Sequence, residues 1–169
     1  YADNTTIQAE WIETGDGINP TVDLTDYIEG TSSAVLAWTN ASGTATFTAS
    51  PSAQNLQPFT GVASGAPIKG NVMIWLETAN ITDISSIKLR VGSDNTNYAE
   101  VTLTALTIND DWVYFQSSLK NATIVGTPNW TVADYITIVI AETSSGSIKV
   151  NGFRINAENS FTLYNVTST

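Results

Sequence analysis

The chain has 169 residues, of which 42% are hydrophobic and 13% charged, and its formal net charge is -10. This length and apolar content suffice for one folded domain, while the acidic balance excludes nucleic acids and anionic membranes as partners, since both require basic surface. The absence of cysteine and histidine excludes thiolate nucleophiles, disulfides, most zinc sites and imidazole catalysis. We therefore expect residues 1–169 to form one domain, without membrane insertion because the apolar stretches, such as residues 136–141, are too short.

Nine segments alternate apolar and polar residues and are rich in β-branched and aromatic types, which predicts β-strands. In chain order they are residues 6–12, 33–39, 44–49, 71–77, 86–92, 98–103, 112–117, 135–141 and 147–155. Short helical turns are expected at 24–27 and 132–135, and the proline-containing stretch 49–70 is expected to be a long connection across one end of the domain. The pattern predicts an all-β, two-sheet antiparallel sandwich of the jelly-roll type.

Both ends of the chain carry a strand-like extension beyond this pattern. Residues 1–10 and 156–169 are each candidates for a donor strand that leaves its own domain and completes the open sheet of a neighbouring copy. The side chains expected to enter the neighbour are Ile7, Ala9 and Trp11 at one end and Phe161, Leu163 and Val166 at the other. The alternative is that both segments are ordinary edge strands of their own sandwich.

The sixteen acidic residues raise the question of catalysis, since two carboxyl groups suffice to cleave a glycosidic bond without histidine. The sequence carries no signature of such a pair. Asp110 and Asp111 are adjacent, so in a strand they would point to opposite faces, and in a turn they would cap the loop before Trp112. We therefore expect no enzymatic activity.

These oxygen atoms suit calcium binding better than catalysis, because calcium accepts carboxylate, amide and backbone carbonyl ligands. Three clusters of acidic and amide side chains lie next to glycines: Asp23, Asp26 and Glu29; Asp94, Asn95 and Asn97; and Glu13 with Asp16. For each cluster the alternative is a turn in which the side chain bonds its own backbone. We expect at least one calcium site.

Six Asn-x-Ser/Thr triplets are acceptors for N-glycosylation, and about three or four would arise by chance in a chain of this composition. They begin at Asn4, Asn40, Asn80, Asn121, Asn129 and Asn165. Their number favours a secreted, extracellular glycoprotein.

Five tryptophans matter because exposed rings can stack on sugars, whereas buried rings fill a core. Trp38 and Trp75 lie within apolar runs and are expected in the core. Core packing is the favoured role for Trp112 and Trp130, and the alternative is a sugar platform formed by Tyr98, Trp112 and Trp130.

Several segments resemble the jelly-roll modules of carbohydrate-binding and cell-surface proteins, over roughly residues 11–155. They are Tyr27-Ile-Glu-Gly-Thr-Ser-Ser, Ile87-Lys-Leu-Arg-Val-Gly-Ser-Asp with Asn97-Tyr98, Asp111-Trp-Val, Thr127-Pro-Asn-Trp and Lys149-Val-Asn-Gly-Phe. The resemblance implies a calcium ion that staples the sandwich, with Glu29 at one ligand position. The second position, an Asp in the family, is Asn151 here.

In character the chain also resembles archaeal extracellular filament subunits, including cannula-type tube proteins. The shared features are an acidic cysteine-free jelly roll, abundant Thr, Asn and Ser, no catalytic residues and a spare terminal strand. This resemblance implies a non-enzymatic structural subunit at the cell surface that polymerises by donor-strand complementation, with calcium assisting. The alternative is a carbohydrate-binding module; such modules are usually joined to a catalytic domain, and the absence of one favours assembly.

Overall fold

The computed structural model describes residues 2–39, 43–103 and 106–157, and eleven β-strands lie within them. In chain order these are β1 (Trp11–Gly15), β2 (Gly17–Asp23), β3 (Ser33–Trp38), β4 (Thr44–Ala49), β5 (Asn71–Glu77), β6 (Ile84–Asp94), β7 (Asn97–Leu103), β8 (Val113–Ser118), β9 (Thr123–Val125), β10 (Tyr135–Glu142) and β11 (Gly146–Asn156). Two short helices, α1 (Asn4–Glu10) and α2 (Gln57–Thr60), and single 3-10 turns at Ile81–Asp83 and Leu119–Asn121 accompany them.

The strands form two antiparallel sheets. One has six strands in the order β1-β4-β10-β6-β7-β9, and the other has five in the order β2-β3-β11-β5-β8. Sequence neighbours such as β1 and β2, or β3 and β4, lie in different sheets, so the chain crosses repeatedly between the two layers. The predicted all-β, two-sheet jelly-roll sandwich is confirmed.

The core lies between the sheets and consists of the inward side chains of each alternating strand. Its largest fully buried members include Leu36, Phe47, Leu76, Leu89, Ile138, Ile140 and Ile148. Trp38 is buried there as predicted, at 2% exposure. Burying these apolar groups supplies about 25 cal/mol per Å² of apolar surface, which is the main force that holds the two layers together.

Trp75 is not in this core, so that prediction is wrong. In β5, Val72, Ile74 and Leu76 point inward, and the period of two therefore turns Trp75 to the outer face of the five-stranded sheet. There its ring packs against Tyr114 with a centroid distance of 4.9 Å, and Tyr114 is 43% exposed.

The strand predicted over residues 6–12 is wrong for residues 6–10, and only residues 11 and 12 belong to a strand, β1. Asp3 caps a helix by accepting the Thr6 backbone N–H at 2.9 Å, and residues 4–10 form α1. Ile7 and Trp11 are four residues apart, so one helical turn brings both into the core of their own domain, whereas Ala9 is exposed. In this structure residues 4–10 are therefore not an extended strand available for donation.

The helical turn predicted at 24–27 is replaced by bends, and in the segment predicted at 132–135 Ala133 forms an isolated bridge and Tyr135 already begins β10. The connection 49–70 contains α2 and pairs with the segment before β10 through isolated bridges between Gln54 and Ala133 and between Ser64 and Asn129. In the part of the chain that the structure describes, no helix is long and apolar enough to cross a membrane.

Candidate functional site

The outer face of the six-stranded sheet is polar at its centre, because the strands there alternate strictly. In β10, Ile136, Ile138 and Ile140 pack toward the core. Tyr135 and Thr137 consequently point to the opposite side. The same alternation in β4, β6 and β7 brings hydroxyl, basic and acidic side chains to this surface, which we call the outer face.

One row of side chains crosses this face in register. Thr48 pairs with Thr137, Thr137 with Arg90, and Arg90 with Glu100. The hydroxyl oxygens of Thr48 and Thr137 lie 3.0 Å apart, and Arg90 Nε donates to Glu100 Oε2 at 2.8 Å. Lys88 Nζ donates to the other oxygen of Glu100 at 2.9 Å. The row is thus a pre-ordered network of donors and acceptors.

Glu100 is held in its charged form by this network. Its side chain is 14% exposed, and burial alone would raise the pKa of the carboxyl. Hydrogen bonds and the positive charges of Lys88 and Arg90 outweigh that effect and hold the pKa of Glu100 below its ordinary value. Glu100 therefore acts as a fixed anion that orients two cationic side chains.

Two tyrosines stand beside the row. The rings of Tyr98 and Tyr135 have a centroid distance of 6.0 Å, and the Arg90 guanidinium lies 4.8 Å from the centroid of the Tyr98 ring. Gly92 pairs with both tyrosines across the sheet. A Cβ at Gly92 would lie 2.2 Å from the Asn97 carbonyl oxygen, so the close approach of β6 and β7 here requires glycine.

An open groove of about 520 Å³ runs along the face from Tyr135. Its lining combines the Tyr135 ring, the carboxylates of Asp94 and Asp134, the amide of Asn95 and the hydroxyls of Thr48 and Ser93. Asp94 is fixed in its hairpin by hydrogen bonds from Thr96 and Asn97, which hold the pKa of its carboxyl below the ordinary value. An aromatic ring among rigid polar groups suits a ligand that carries many hydroxyls on an apolar ring.

The predicted sugar platform is not brought together. Tyr98 lies on the outer face but is only 9% exposed. Trp112 is half-buried on the other sheet, where its Nε1 donates to Asp26 at 2.8 Å. Trp130 is fully buried, and its Nε1 donates to the Gly65 carbonyl oxygen at 2.8 Å. The idea that Trp130 forms an exposed platform is therefore wrong: its loop folds back under the 49–70 connection and takes the ring into the core.

Asp23 and Asp26 lie together, as their predicted role in a cluster requires, but a lysine joins them. Lys149 Nζ contacts Asp26, and lies 3.0 Å from Glu77 Oε1 and 3.4 Å from Asp23 Oδ2. Asp23 also accepts the Thr25 hydroxyl and backbone N–H; these bonds, with a smaller contribution from Lys149, lower its pKa to about 2. The protein itself supplies the positive charge at this cluster.

Glu29 and Asn151, the two positions implied by the family resemblance, are neighbours. Asn151 Oδ1 accepts the Glu29 backbone N–H at 2.7 Å, and its Nδ2 donates to the Ser32 carbonyl oxygen at 2.9 Å. The Glu29 carboxylate forms an ion pair with Arg154. Because Asn151 Oδ1 already accepts a hydrogen bond and the Arg154 guanidinium is paired with the Glu29 carboxylate, this arrangement does not fit a calcium ion.

The remaining candidate ligands are spread out. Asp94 lies in the β6–β7 hairpin, with Asn95 at the groove and Asn97 in the same turn. Asp16 lies beside Glu142 instead of forming a site with Glu13. Within the described residues, no group of three or more acidic, histidine or cysteine side chains is placed to hold a metal. Calcium binding therefore stays a prediction.

The glycosylation triplets differ in accessibility. Asn4, Asn121 and Asn129 are exposed and Asn80 is half-buried, while Asn40 and Asn165 lie outside the described residues. Asn80 and Asn129 each accept hydrogen bonds from the hydroxyl and backbone N–H of their own triplet's threonine. Their modification stays a prediction.

Sequence reasoning missed Tyr135, Arg90, Glu100 and Asp134. The alternation of residues 135–141 does indicate that Tyr135 and Thr137 share a face away from the isoleucines. Which strands lie beside that face depends on strand order, and no local pattern carries this information.

Comparisons with known proteins found no matching family model and no matching curated protein. Solved structures do match. The family 11 carbohydrate-binding module from Clostridium thermocellum, in complex with a β-1,3-1,4-mixed-linked tetrasaccharide, has a TM-score of 0.59 at 11% identity, covering 88% of this chain and 89% of that chain. The family 30 module of a Clostridium thermocellum cellulosomal cellulase has a TM-score of 0.59 at 10% identity, covering 86% and 88%. An exo-β-agarase matches at a TM-score of 0.63 and 9% identity over 89% of this chain and 23% of that chain. At these identities the likeness concerns the fold.

Proposed function

We propose that the chain is a non-catalytic carbohydrate-binding module that holds a glycan in the groove of the outer face. The observation that carries the proposal is that the Tyr135 ring, the Thr48 hydroxyl and the carboxylates of Asp94 and Asp134 line one open groove, beside the ion-paired side chains of Arg90 and Glu100. Such a surface offers a stacking face and directional hydrogen bonds together. The occurrence of this fold in carbohydrate-binding modules supports the same function.

The groove favours a neutral polysaccharide. Asp94 and Asp134 line it, and the whole chain carries a charge of -10, so an acidic glycan would be repelled. Because the groove is open, it admits an internal stretch of a chain as well as an end. A mixed-linked β-glucan, the ligand type of the family 11 module, is the first ligand to try.

A binding role without catalysis fits the carboxyl groups on the face. The pKa values of Glu100 and Asp94 are both held below their ordinary values. A glycosidase needs one carboxyl that is still protonated near neutral pH to donate to the leaving group. Glu100 and Asp94 are ionised under those conditions and serve as acceptors.

Replacement of Tyr135 by alanine tests the site. The intact protein should be retarded in native gels containing mixed-linked β-glucan, and Tyr135→Ala should weaken binding about tenfold or more, since truncating a central tyrosine typically costs more than about 1.4 kcal/mol. Tyr114→Ala is the matched control, because Tyr114 is an exposed tyrosine on the opposite sheet. It should bind as the parent does, and circular dichroism should confirm that both variants fold.

Retardation by a panel of neutral polysaccharides that is unchanged by Tyr135→Ala would refute this site. Loss of binding in Tyr114→Ala alone would move the site to the Trp75–Tyr114 pair. No retardation of the intact protein by any glycan in the panel would refute carbohydrate binding itself.

The assembly hypothesis has less support. Ile7 and Trp11 serve their own core, and the C-terminal donor residues Phe161, Leu163 and Val166 lie outside the described residues. A secreted filament or tube subunit that donates its C-terminal strand therefore remains a second proposal. Size-exclusion chromatography with and without residues 160–169 tests it: polymers that disappear on deletion support it, and a monomer in both cases refutes it.

A further inference from the structure

The carboxylate of Glu142 is buried and accepts no hydrogen bond from the residues that the structure describes. Glu142 ends β10 and is 4% exposed. An ionised carboxylate in such a place is costly unless a positive charge or a proton compensates it. The position therefore needs a compensating partner that none of the groups in residues 2–39, 43–103 and 106–157 supplies.

A second carboxylate lies beside it. Asp16 is the single residue between β1 and β2, where the chain passes from the six-stranded to the five-stranded sheet. Its backbone is fixed on both sides, since its N–H donates to the Thr44 carbonyl oxygen and its own carbonyl oxygen accepts the Thr39 N–H, each at 3.2 Å. Burial, and next a hydrogen bond that a protonated Glu142 makes with Asp16 and the charge of Asp16, raise the pKa of Glu142 to about 7. Asp16 is half-exposed, which leaves the pair open to solvent on one side.

Gly43 lies against the carboxylates of Asp16 and Glu142. A Cβ at this position would lie 1.7 Å from Asp16 Oδ2 and 3.3 Å from Glu142 Oε1. Asp16 Oδ2 therefore occupies the position that a side chain at residue 43 would take, with Glu142 Oε1 nearby, so the approach of the two carboxylates requires glycine here. The Gly43 carbonyl oxygen is close as well, and accepts the Glu142 N–H at 3.4 Å.

No side-chain cation neutralises the pair. All six Lys and Arg residues of the chain lie in the described ranges. The ion pairs among those residues involve Glu100, Asp23, Asp26, Glu77 and Glu29, and none includes Asp16 or Glu142.

We propose that Asp16 and Glu142 bind a divalent cation at Gly43, with calcium as the expected ion. The two carboxylates and nearby carbonyl groups are hard oxygen ligands, and calcium tolerates irregular sets of six to eight oxygens completed by water. The ion would tie the β1–β2 crossing to the end of β10 and so fasten the two sheets together. This site is separate from Glu29 and Asn151 and from the groove of the outer face.

Thermal unfolding of the full chain at pH 7.5 tests the proposal, in excess EDTA and with calcium or magnesium chloride. Calcium at about 100-fold above its dissociation constant should raise Tm by about 5–10 °C, and magnesium should raise it less. Glu142→Gln and Asp16→Asn should each abolish the calcium shift. In EDTA, Glu142→Gln should melt at or above the parent temperature, because it removes the repulsion. Glu29→Gln is the matched control and should keep the shift.

Three outcomes would overturn the proposal. In the first, calcium does not change the Tm of the parent protein, and Glu142→Gln raises Tm equally with and without calcium. That result would mean that Asp16 and Glu142 share a proton instead of binding an ion. Another is a calcium shift that survives both Glu142→Gln and Asp16→Asn. The third is a calcium shift that only Glu29→Gln removes, which would place the ion at Glu29 and Asn151.

Discussion

Trp130→Ala is expected to lower the free energy of unfolding by about 3–5 kcal/mol, the usual cost of truncating a buried large aromatic residue. The side chain is fully buried and its indole N–H donates to the Gly65 carbonyl oxygen. Its backbone adds two further bonds to the 49–70 connection, through Ala63 and Leu56. The change therefore leaves a cavity and also loosens a long loop. Against a typical total stability of about 5–15 kcal/mol, this loss is large.

Urea denaturation of Trp130→Ala, Trp130→Phe and Trp112→Ala measures the effect. Trp130→Phe keeps an aromatic ring but loses the donor to Gly65, so it should cost about 1–3 kcal/mol. Trp112→Ala, at a half-buried position, should cost less than Trp130→Ala. A Trp130→Ala protein as stable as the parent, but with weaker glycan binding, would instead restore Trp130 as an exposed sugar platform.

The sequence was sufficient to predict the sandwich because most strands carry their own alternation. Three strands escaped: the predicted segment 6–12 overlaps β1 only at residues 11–12, and β2 and β9 have no predicted counterpart. β2 contains Pro20 and few apolar residues, so its sequence does not resemble a strand. The proline is tolerated because β2 is an edge strand with an irregular register between Ile18 and Thr21. β9 has only three residues and is defined by its pairing with β7.

The spacing of apolar residues alone could not show whether the N-terminal segment is a helix or a strand. Ile7, Ala9 and Trp11 alternate, yet Ile7 and Trp11 also have helical spacing, and short apolar runs do not distinguish the two. The deciding signal was the cap: Asp3 precedes Thr6 by three residues and binds its backbone N–H. Tertiary contact then fixed the helix, since Ile7 completes the core.

The candidate site and the charge clusters depend on strand order, which explains why local reasoning found only parts of them. The acidic group around Asp23 and Asp26 was recognised, but its cation, Lys149, comes from β11, far along the chain. Similarly, Asp16 was noted as a ligand, but Glu142 becomes its neighbour only when β10 packs beside β4. Residues far apart in sequence meet at the ends of strands, where sequence periodicity carries no information about partners.

Lys149→Met is expected to lower the free energy of unfolding by about 2–3 kcal/mol at pH 7, below the value for fully buried pairs because these side chains are partly exposed. Methionine keeps much of the apolar stem of lysine but leaves Asp23, Asp26 and Glu77 without the shared cation. Glu77 should contribute most, since its side chain is only 10% exposed. Burial already raises the pKa of Glu77, and Lys149 counteracts that rise.

The pH dependence of this loss separates charge from packing. Without Lys149 the folded-state pKa values of these carboxyls rise. The variant is therefore less stable than the parent at pH values above those pKa values, and its stability recovers as falling pH protonates the carboxyls. The difference in unfolding free energy between parent and Lys149→Met should therefore be largest near pH 7 and shrink toward pH 4, as measured by urea denaturation at each pH. Lys120→Met, at an exposed position, should show little loss at any pH. A loss for Lys149→Met that is the same at both pH values would mean that packing of the lysine stem, and not its charge, holds the 24–32 loop against β11.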